Sequence, residues 1–352
     1  MSTSKITEVI LGVDTHLDIH VGVLINVNGQ LLGTLAVETQ VSGYLKLLAW
    51  AKSFGLFQRA GVEGTGTYGA GSAQVLRDDD IAVFEVNRPD RTKRRLEGKS
   101  DPTDAESAAR SVLSGSATAV AKTRSGAAEA MREISVVRRS AVKAKTQAIN
   151  QIRSLLVSAP QEIREQLWDT KPAECVGNCL HLGSLGSAPF LAVLATSLRL
   201  LARRWTALAA ELKELDDMLE SLTQQYAHRL RNQFGVGPQS AAILISVAGD
   251  NPERLKSESA LAALCGVSPL PASSGKTVRH RLNRGGDRSA NNALWTIAMV
   301  RMRSDSRTRA YVARRTAEGL SSKEIQRCLK RYIIRDLYPL ILADLTESRH
   351  VG

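Results

Sequence analysis

The chain has 352 residues and a formal net charge of +12, with 43% apolar residues and only 4% aromatic ones. That length supports two or three domains with cores of their own. It contains no run of about eighteen uncharged apolar residues, and its N-terminus meets an acid before a signal-peptide core can form, so the expectation is a soluble cytoplasmic protein with no membrane partner.

The first hundred residues alternate strand and helix signals. TEVILGVDTH is a buried apolar strand ending at Asp14. The segment 19–39 is two strands joined at Asn28-Gly29, a hairpin signal, and 42–53 has helical periodicity. RAGVEGTG is a short strand ending at Glu63, followed by a helix over 68–77 and the strand IAVFEVN. This order predicts a mixed sheet with helices on its faces, where ligands gather at the carboxyl ends of the parallel strands.

In GKSDPTDAESAAR, residues 98–110, Asp101 and Asp104 stand three apart at the start of a helix. Asp101 before Pro102 fits an N-cap residue with proline at the first helical position, and Asp104 is an acid favoured in a first turn. The same spacing lets both carboxylates face one site. Just upstream, NRPDRTKRRLEGK carries Arg88, Arg91, Lys93, Arg94 and Arg95, a second basic cluster suited to a phosphate backbone.

Residues 125–226 are helical in pattern, with one helix over 126–157, another over 194–229 and a Gly- and Pro-containing stretch between them. Two such helices suggest an antiparallel coiled-coil arm used for assembly, an ordinary helical bundle being the alternative. Cys175 and Cys179 have half-site spacing but only His181 nearby, so they are expected to be buried thiols.

FGVGPQSAAILISVAGD, residues 234–250, is a Gly-x-Gly turn opening a small-residue helix. It suggests a helix-hairpin-helix element in which the backbone at Gly235 and Gly237 holds a phosphate. A helix near 257–265, an irregular segment and three basic helices complete the chain. Residues 275–335 hold sixteen Lys or Arg against Asp287, Asp305, Glu318 and Glu324, which accounts for the whole net charge. Arginine at that density points to nucleic acid, the alternative being a solvated helical surface.

Asp14, Glu63, Asp101 and Asp104 all fall at neighbouring strand ends in such a sheet. Crowded carboxylates repel unless cations hold them, and Mg²⁺ accepts carboxylate ligands. Two ions about 4 Å apart activate a hydroxyl and stabilise a leaving oxygen in phosphodiester cleavage. His16 and His20 lie near Asp14 and are taken as strand or loop residues.

GVDTHLD, VEGTGTYG and KSDPTDAESAAR resemble the DEDD signature of the RuvC-like insertion-sequence transposases, the family of the Piv-type invertases and the bridge-RNA-guided recombinases. Residues 234–250 and 264–295 resemble that family's C-terminal transposase domain. The resemblance implies a RuvC/RNase H-like DEDD domain at 1–122, a helical coiled-coil assembly region at 123–230 and a mostly helical transposase domain at 231–352. It also implies a serine nucleophile, matched here by Ser274 with Ser273 in reserve, which forms a covalent phosphoserine with DNA. Lys276, Arg279, His280, Arg281, Arg284 and Arg288 are then suited to clamping phosphates. The implied partners are donor and target DNA, a noncoding guide RNA and further copies of the chain, in which acids of one subunit meet the serine of another.

Three other readings remain open at this point. One is a Holliday-junction or structure-selective nuclease using water. Another is an actin-like or sugar-kinase ATPase with GVDTH and GVEGTGTYG as phosphate loops. The third is a DNA-binding repressor whose acids are caps.

Overall fold

The structure, a computed structural model, describes residues 7–86, 100–273 and 280–351, with side chains through residue 348. The chain divides into two compact units, Met1–Thr123 and Arg124–Gly352.

The first unit is built on β1 (Glu8–Thr15), β2 (Ile19–Asn26), β3 (Leu31–Glu38), β4 (Leu56–Glu63) and β5 (Ala82–Val86), with α1 (Val41–Lys52), α2 (Ala70–Asp78) and α3 (Asp101–Leu113). The sheet order is β3-β2-β1-β4-β5. β1 and β2 pair antiparallel, as do β2 and β3, while β4 lies parallel to both β1 and β5. This mixed sheet has the RuvC/RNase H-like form expected. The hairpin turn is where Asn28-Gly29 placed it: Gly29 has φ +76°, and Asn26 Oδ1 accepts from the amides of Asn28 and Gln30, both at 3.0 Å.

Strand alternation sorts the side chains of β1 to two faces. Val9, Leu11 and Val13 pack with Leu47, Leu48, Ala73 and Leu76 of α1 and α2. Ile10 packs on the opposite face with Val21, Val23 and Ile25 against Ala105, Ala109 and Val112 of α3. Both faces of β1 are covered, which is why it is an unbroken apolar run.

The second unit is helical: α4 (Ala127–Ser158), α5 (Gln161–Leu167), α6 (Pro172–Leu180), α7 (Pro189–Tyr226), α8 (His228–Arg231), α9 (Pro238–Ala248), α10 (Glu258–Leu264), the two-residue strands β6 (Leu270–Pro271) and β7 (His280–Arg281), then α11 (Arg288–Ser304), α12 (Ser306–Ala317) and α13 (Ser322–Val351). α4 and α7 run antiparallel, with Arg138 paired to Asp216 at 2.5 Å and Lys145 Nζ 4.3 Å from the Trp205 ring. α7 begins at Pro189 rather than 194, because proline fits a first helical position. The Gly- and Pro-containing stretch between the long helices carries α5 and α6. Ile163, Cys175, Val176 and Cys179 from these helices close the apolar end formed by Ile152, Leu156, Leu194 and Leu198. A separate core joins Met131 and Leu219 to α9, α10, α11 and α13.

Candidate active site

The site begins with two glycines. Gly12 of β1 and Gly61 of β4 are direct partners in the parallel pair. A Cβ on Gly12 would stand 2.0 Å from the Ala105 carbonyl oxygen, and one on Gly61 would stand 2.7 Å from that of Ala108. Lacking side chains, the pair lets the Ala105, Ala108 and Ala109 face of α3 seat directly on the strand backbones. Two residues further along each strand, about 6.6 Å on and on the same face, come Asp14 and Glu63. Four residues back along α3, about 6 Å, come Asp101 and Asp104. The close dock therefore brings the first turn of the helix to the two strand ends.

Asp101 is not the N-cap residue that the sequence suggested. Ser100 caps α3, its Oγ accepting from the Thr103 amide at 3.4 Å and lying 2.7 Å from Thr103 Oγ1. The helix thus starts one residue earlier, with Asp101 as its first residue and Pro102 as its second, and the Asp101 carboxylate is spared from capping.

His16 joins these carboxylates. Its Nε2 is 3.1 Å from Asp14 Oδ2 and 3.3 Å from Asp101 Oδ1. Among the described residues, Asp14, His16 and Asp101 are the one group of three or more such side chains able to share a metal ion, with ligand atoms within 4.8 Å of one another. Asp14 and Asp104 are buried, at 5% and 6% exposure. Burial raises the Asp14 pKa above the usual carboxylate value; His16 opposes this, and the charges of Asp101 and Asp104 add to it. Glu63 ends the neighbouring strand, and the Thr15 hydroxyl donates to its backbone carbonyl at 2.9 Å. An oxygen-rich donor set with one imidazole suits a divalent ion of the Mg²⁺ or Mn²⁺ kind. The sequence alone suggests a strand or loop residue at His16, and the structure corrects this by setting its ring against Asp14 and Asp101. Its signal was position, since it lies two residues beyond Asp14 and projects to the same side.

In the second unit, Gly235 has φ +82° and Gly237 is the N-cap residue of α9, which opens on Pro238. A Cβ on Gly237 would meet nothing within 4 Å. The recess before this turn is lined by Arg138 but also by Asp216, Asp217 and Glu220. Ser273 is exposed just after β6, and His280 and Arg281 are exposed on β7. Those two basic residues line a cavity of about 540 Å³, while Arg284 and Arg288 line another of about 510 Å³. Ser274, Lys276, Arg279, Arg88, Arg91, Lys93, Arg94 and Arg95 lie outside the described residues. Cys175 and Cys179 are buried thiols, and burial pushes Cys179 up to about 12. Among the described residues no helix is long and apolar enough to cross a membrane.

Two family models match the chain. One, a transposase model of the DEDD type named for IS110, covers residues 11–159; the other, described as transposase IS116/IS110/IS902 family, covers residues 227–313. The chain is 27% identical over 144 residues to the insertion element IS110 uncharacterized 43.6 kDa protein of Streptomyces coelicolor, a match covering 40% of this chain and 35% of that protein. It is 26% identical over 150 residues to the insertion element IS900 uncharacterized 42 kDa protein of Mycobacterium paratuberculosis, covering 42% of this chain and 38% of that one. The chain thus spans little more than a third of the length of these relatives. The first model contains Asp14, Glu63, Asp101 and Asp104 within its bounds and the second contains the Ser273-to-Arg288 segment; the chain belongs to the IS110/IS116/IS902 family of insertion-element transposases.

Proposed function

We propose that this chain is the DNA transposase of an insertion element, a recombinase that cuts and rejoins DNA strands at a carboxylate-held metal centre. The observation that carries the reading is the convergence of Asp14, Asp101 and His16 where α3 docks on the sheet. Asp14, Glu63, Asp101 and Asp104, with His16 beside them, would hold two Mg²⁺ ions. Such ions activate an attacking oxygen and neutralise charge on the scissile phosphate.

Ser274 is the proposed nucleophile, with Ser273 in reserve. Its hydroxyl oxygen forms a bond to the phosphorus of a DNA phosphodiester as the bond to the leaving strand's oxygen breaks, and its proton passes to that leaving oxygen or to solvent. The resulting serine ester retains the strand for rejoining. Arg281, Arg284 and Arg288, together with His280, Lys276 and Arg279, would grip strand phosphates, as would the backbone at Gly235 and Gly237. Arg91, Lys93, Arg94 and Arg95 would hold a guide RNA or DNA backbone. Readout by a noncoding RNA pairing with donor and target DNA accords with a chain of only 4% aromatic residues, which has few platforms for stacking bases. Further copies of the chain would bring the acids of one subunit to the serine of another, in the cytoplasm at the nucleoid.

The test incubates the full chain and Mg²⁺ with DNA carrying the element's ends, then denatures the mixture in detergent. A covalent protein–DNA adduct is expected from the wild type, absent in Ser274→Ala and absent in Asp14→Asn. Cleavage that persists in the Ser273→Ala/Ser274→Ala double variant without any adduct assigns the acids to water-driven hydrolysis instead. Isolation of the chain with one RNA of discrete sequence is the expected sign of guidance, and preparations free of RNA that still recombine would remove it.

A further inference from the structure

We propose that Lys330 is a buried seat for one phosphodiester group of a nucleic-acid strand, placed where two basic cavities of the second unit share a wall. No sequence motif marked it. Lys330 lies on α13 at only 7% exposure. Its Nζ donates to Asn291 Oδ1 of α11 at 2.8 Å. The Asn291 amide cannot turn away, because its Nδ2 donates to the carbonyls of Cys265 at 3.1 Å and Gly266 at 2.9 Å at the end of α10. One neutral acceptor is thus fixed on an ammonium that has three protons to donate. Among the described residues no carboxylate pairs with Lys330, and the charge nearest in effect is Arg327, of the same sign. A buried charge left this way destabilises the fold unless an anion arrives, a condition that marks functional sites.

The surroundings supply the shape of that anion. Lys330 lines both the 540 Å³ cavity and the 510 Å³ cavity. In the first, Arg331 is tied to Glu258 and Arg315 to Glu318, while Glu324 accepts from Ser321; Arg281 and Arg327 stay uncommitted among the described residues. In the second, the Asp287 carboxylate is occupied by the Ala290 amide at the start of α11, which leaves Arg284 and Arg288. Cations therefore continue on both sides of the ammonium, as the successive phosphates of a strand require and a single small anion does not. Trp295, 43% exposed in the second cavity, offers a surface for base stacking. The proposal deepens the transposase reading and rests on it for the presence of a strand.

Two measurements on the full chain test it. Pyridoxal 5′-phosphate followed by borohydride marks phosphate-site lysines: the aldehyde condenses with the amine, losing water, and the imine is reduced to a stable secondary amine read by mass spectrometry. Labelling of Lys330 is expected, with protection by a mixed-sequence duplex DNA assigning a DNA strand and protection by single-stranded RNA assigning a guide. No labelling, or labelling that neither polymer prevents, overturns the seat. Separately, Lys330→Met should lower the slope of log binding constant against log salt for the duplex by about 0.9, the loss of one phosphate contact, with an unfolding midpoint unchanged or raised. An unchanged slope, or a midpoint lowered by several degrees, makes Lys330 a structural tie between helices and removes the proposal. A wild-type chain that binds duplex with no salt dependence defeats the transposase reading itself, whereas normal wild-type binding with an unaltered slope in Lys330→Met defeats the seat alone.

Discussion

Gly12→Ala isolates the feature on which the geometry of the proposed metal site depends. The new Cβ would meet the Ala105 carbonyl oxygen at 2.0 Å and the Ala109 amide nitrogen at 2.4 Å, both backbone atoms that no rotamer change can clear. Restoring the 2.0 Å approach to the 3.4 Å of ordinary contact requires α3 to recede by about 1.4 Å. Overpacking of this kind costs roughly 1–3 kcal/mol, and the shift exceeds the ~0.2 Å tolerance of a metal–ligand distance several times over. Because Asp101 and Asp104 ride on the displaced helix, stability and metal affinity should fall together. The expected outcome is an unfolding free energy, measured in urea, reduced by that amount and Mn²⁺ binding, followed by calorimetry, weakened ~10-fold or more. A matched control is Gly177→Ala in α6, where a Cβ meets nothing within 4 Å and the change should stabilise by about 0.5–1 kcal/mol without touching metal binding. Gly12→Ala protein with wild-type stability and wild-type Mn²⁺ affinity would refute the docking argument.

Three further outcomes are expected. Ser100→Ala should cost about 1 kcal/mol of first-unit stability by loss of the cap. Asp101→Asn, which removes no cap, should cost less than that yet weaken Mn²⁺ binding more; a reversed order in urea titrations would return the cap to Asp101. In the native chain a thiol reagent should modify Cys328 first, since Cys175, Cys179 and Cys265 are buried and burial pushes Cys179 and Cys265 up to about 12; rapid loss of all four thiols before unfolding would contradict that core. Burial lowers the Lys330 pKa from 10.5. Where the lysine is charged in both folded and unfolded states its burial penalty is complete; as pH rises toward 10.5 the folded state sheds the proton first and the penalty fades. The stability advantage of Lys330→Met over wild type should therefore shrink as unfolding is measured from pH 7 to pH 10.5, and an advantage that grows with pH would refute the assignment.

The first unit was legible because its signals are redundant. The buried strand β1 is an apolar run closed by Asp14, β4 is closed by Glu63, and the Asn28-Gly29 turn fixes the antiparallel pairing of β2 with β3. The second unit was legible where helices are long. α5 and α6, at seven and nine residues, are too short for periodicity to separate them from a loop. They exist through tertiary cover, because Cys175, Val176 and Cys179 have the ends of α4 and α7 to pack against. Lys330 was illegible for a related reason. In sequence it is one cation among sixteen, and only the fold shows that Asn291, fixed by two carbonyls, has drawn it inside while its neighbours stay at the surface.

The acid site shows how a one-residue ambiguity in a helix start carries chemical weight. Ser100 and Asp101 are both good cap residues, and local propensity does not choose between them. The choice is made by the dock. Seating Ala105 against Gly12 and Ala108 against Gly61 sets the rotation of α3, and that rotation turns Asp101 toward Asp14 and His16. A carboxylate accepting the amides of a first turn would be committed to the helix; with the serine hydroxyl in that role, the carboxylate keeps its oxygens for the site. His16 follows from the same logic on the strand side, since an extended chain leaving β1 returns every second residue to the α3 face and brings an imidazole back to where Asp14 already points. The glycines, the serine and the histidine are thus parts of a single device: close docking removes two side chains from the strands, and the space they vacate lets carboxylates from separate elements approach within reach of one cation.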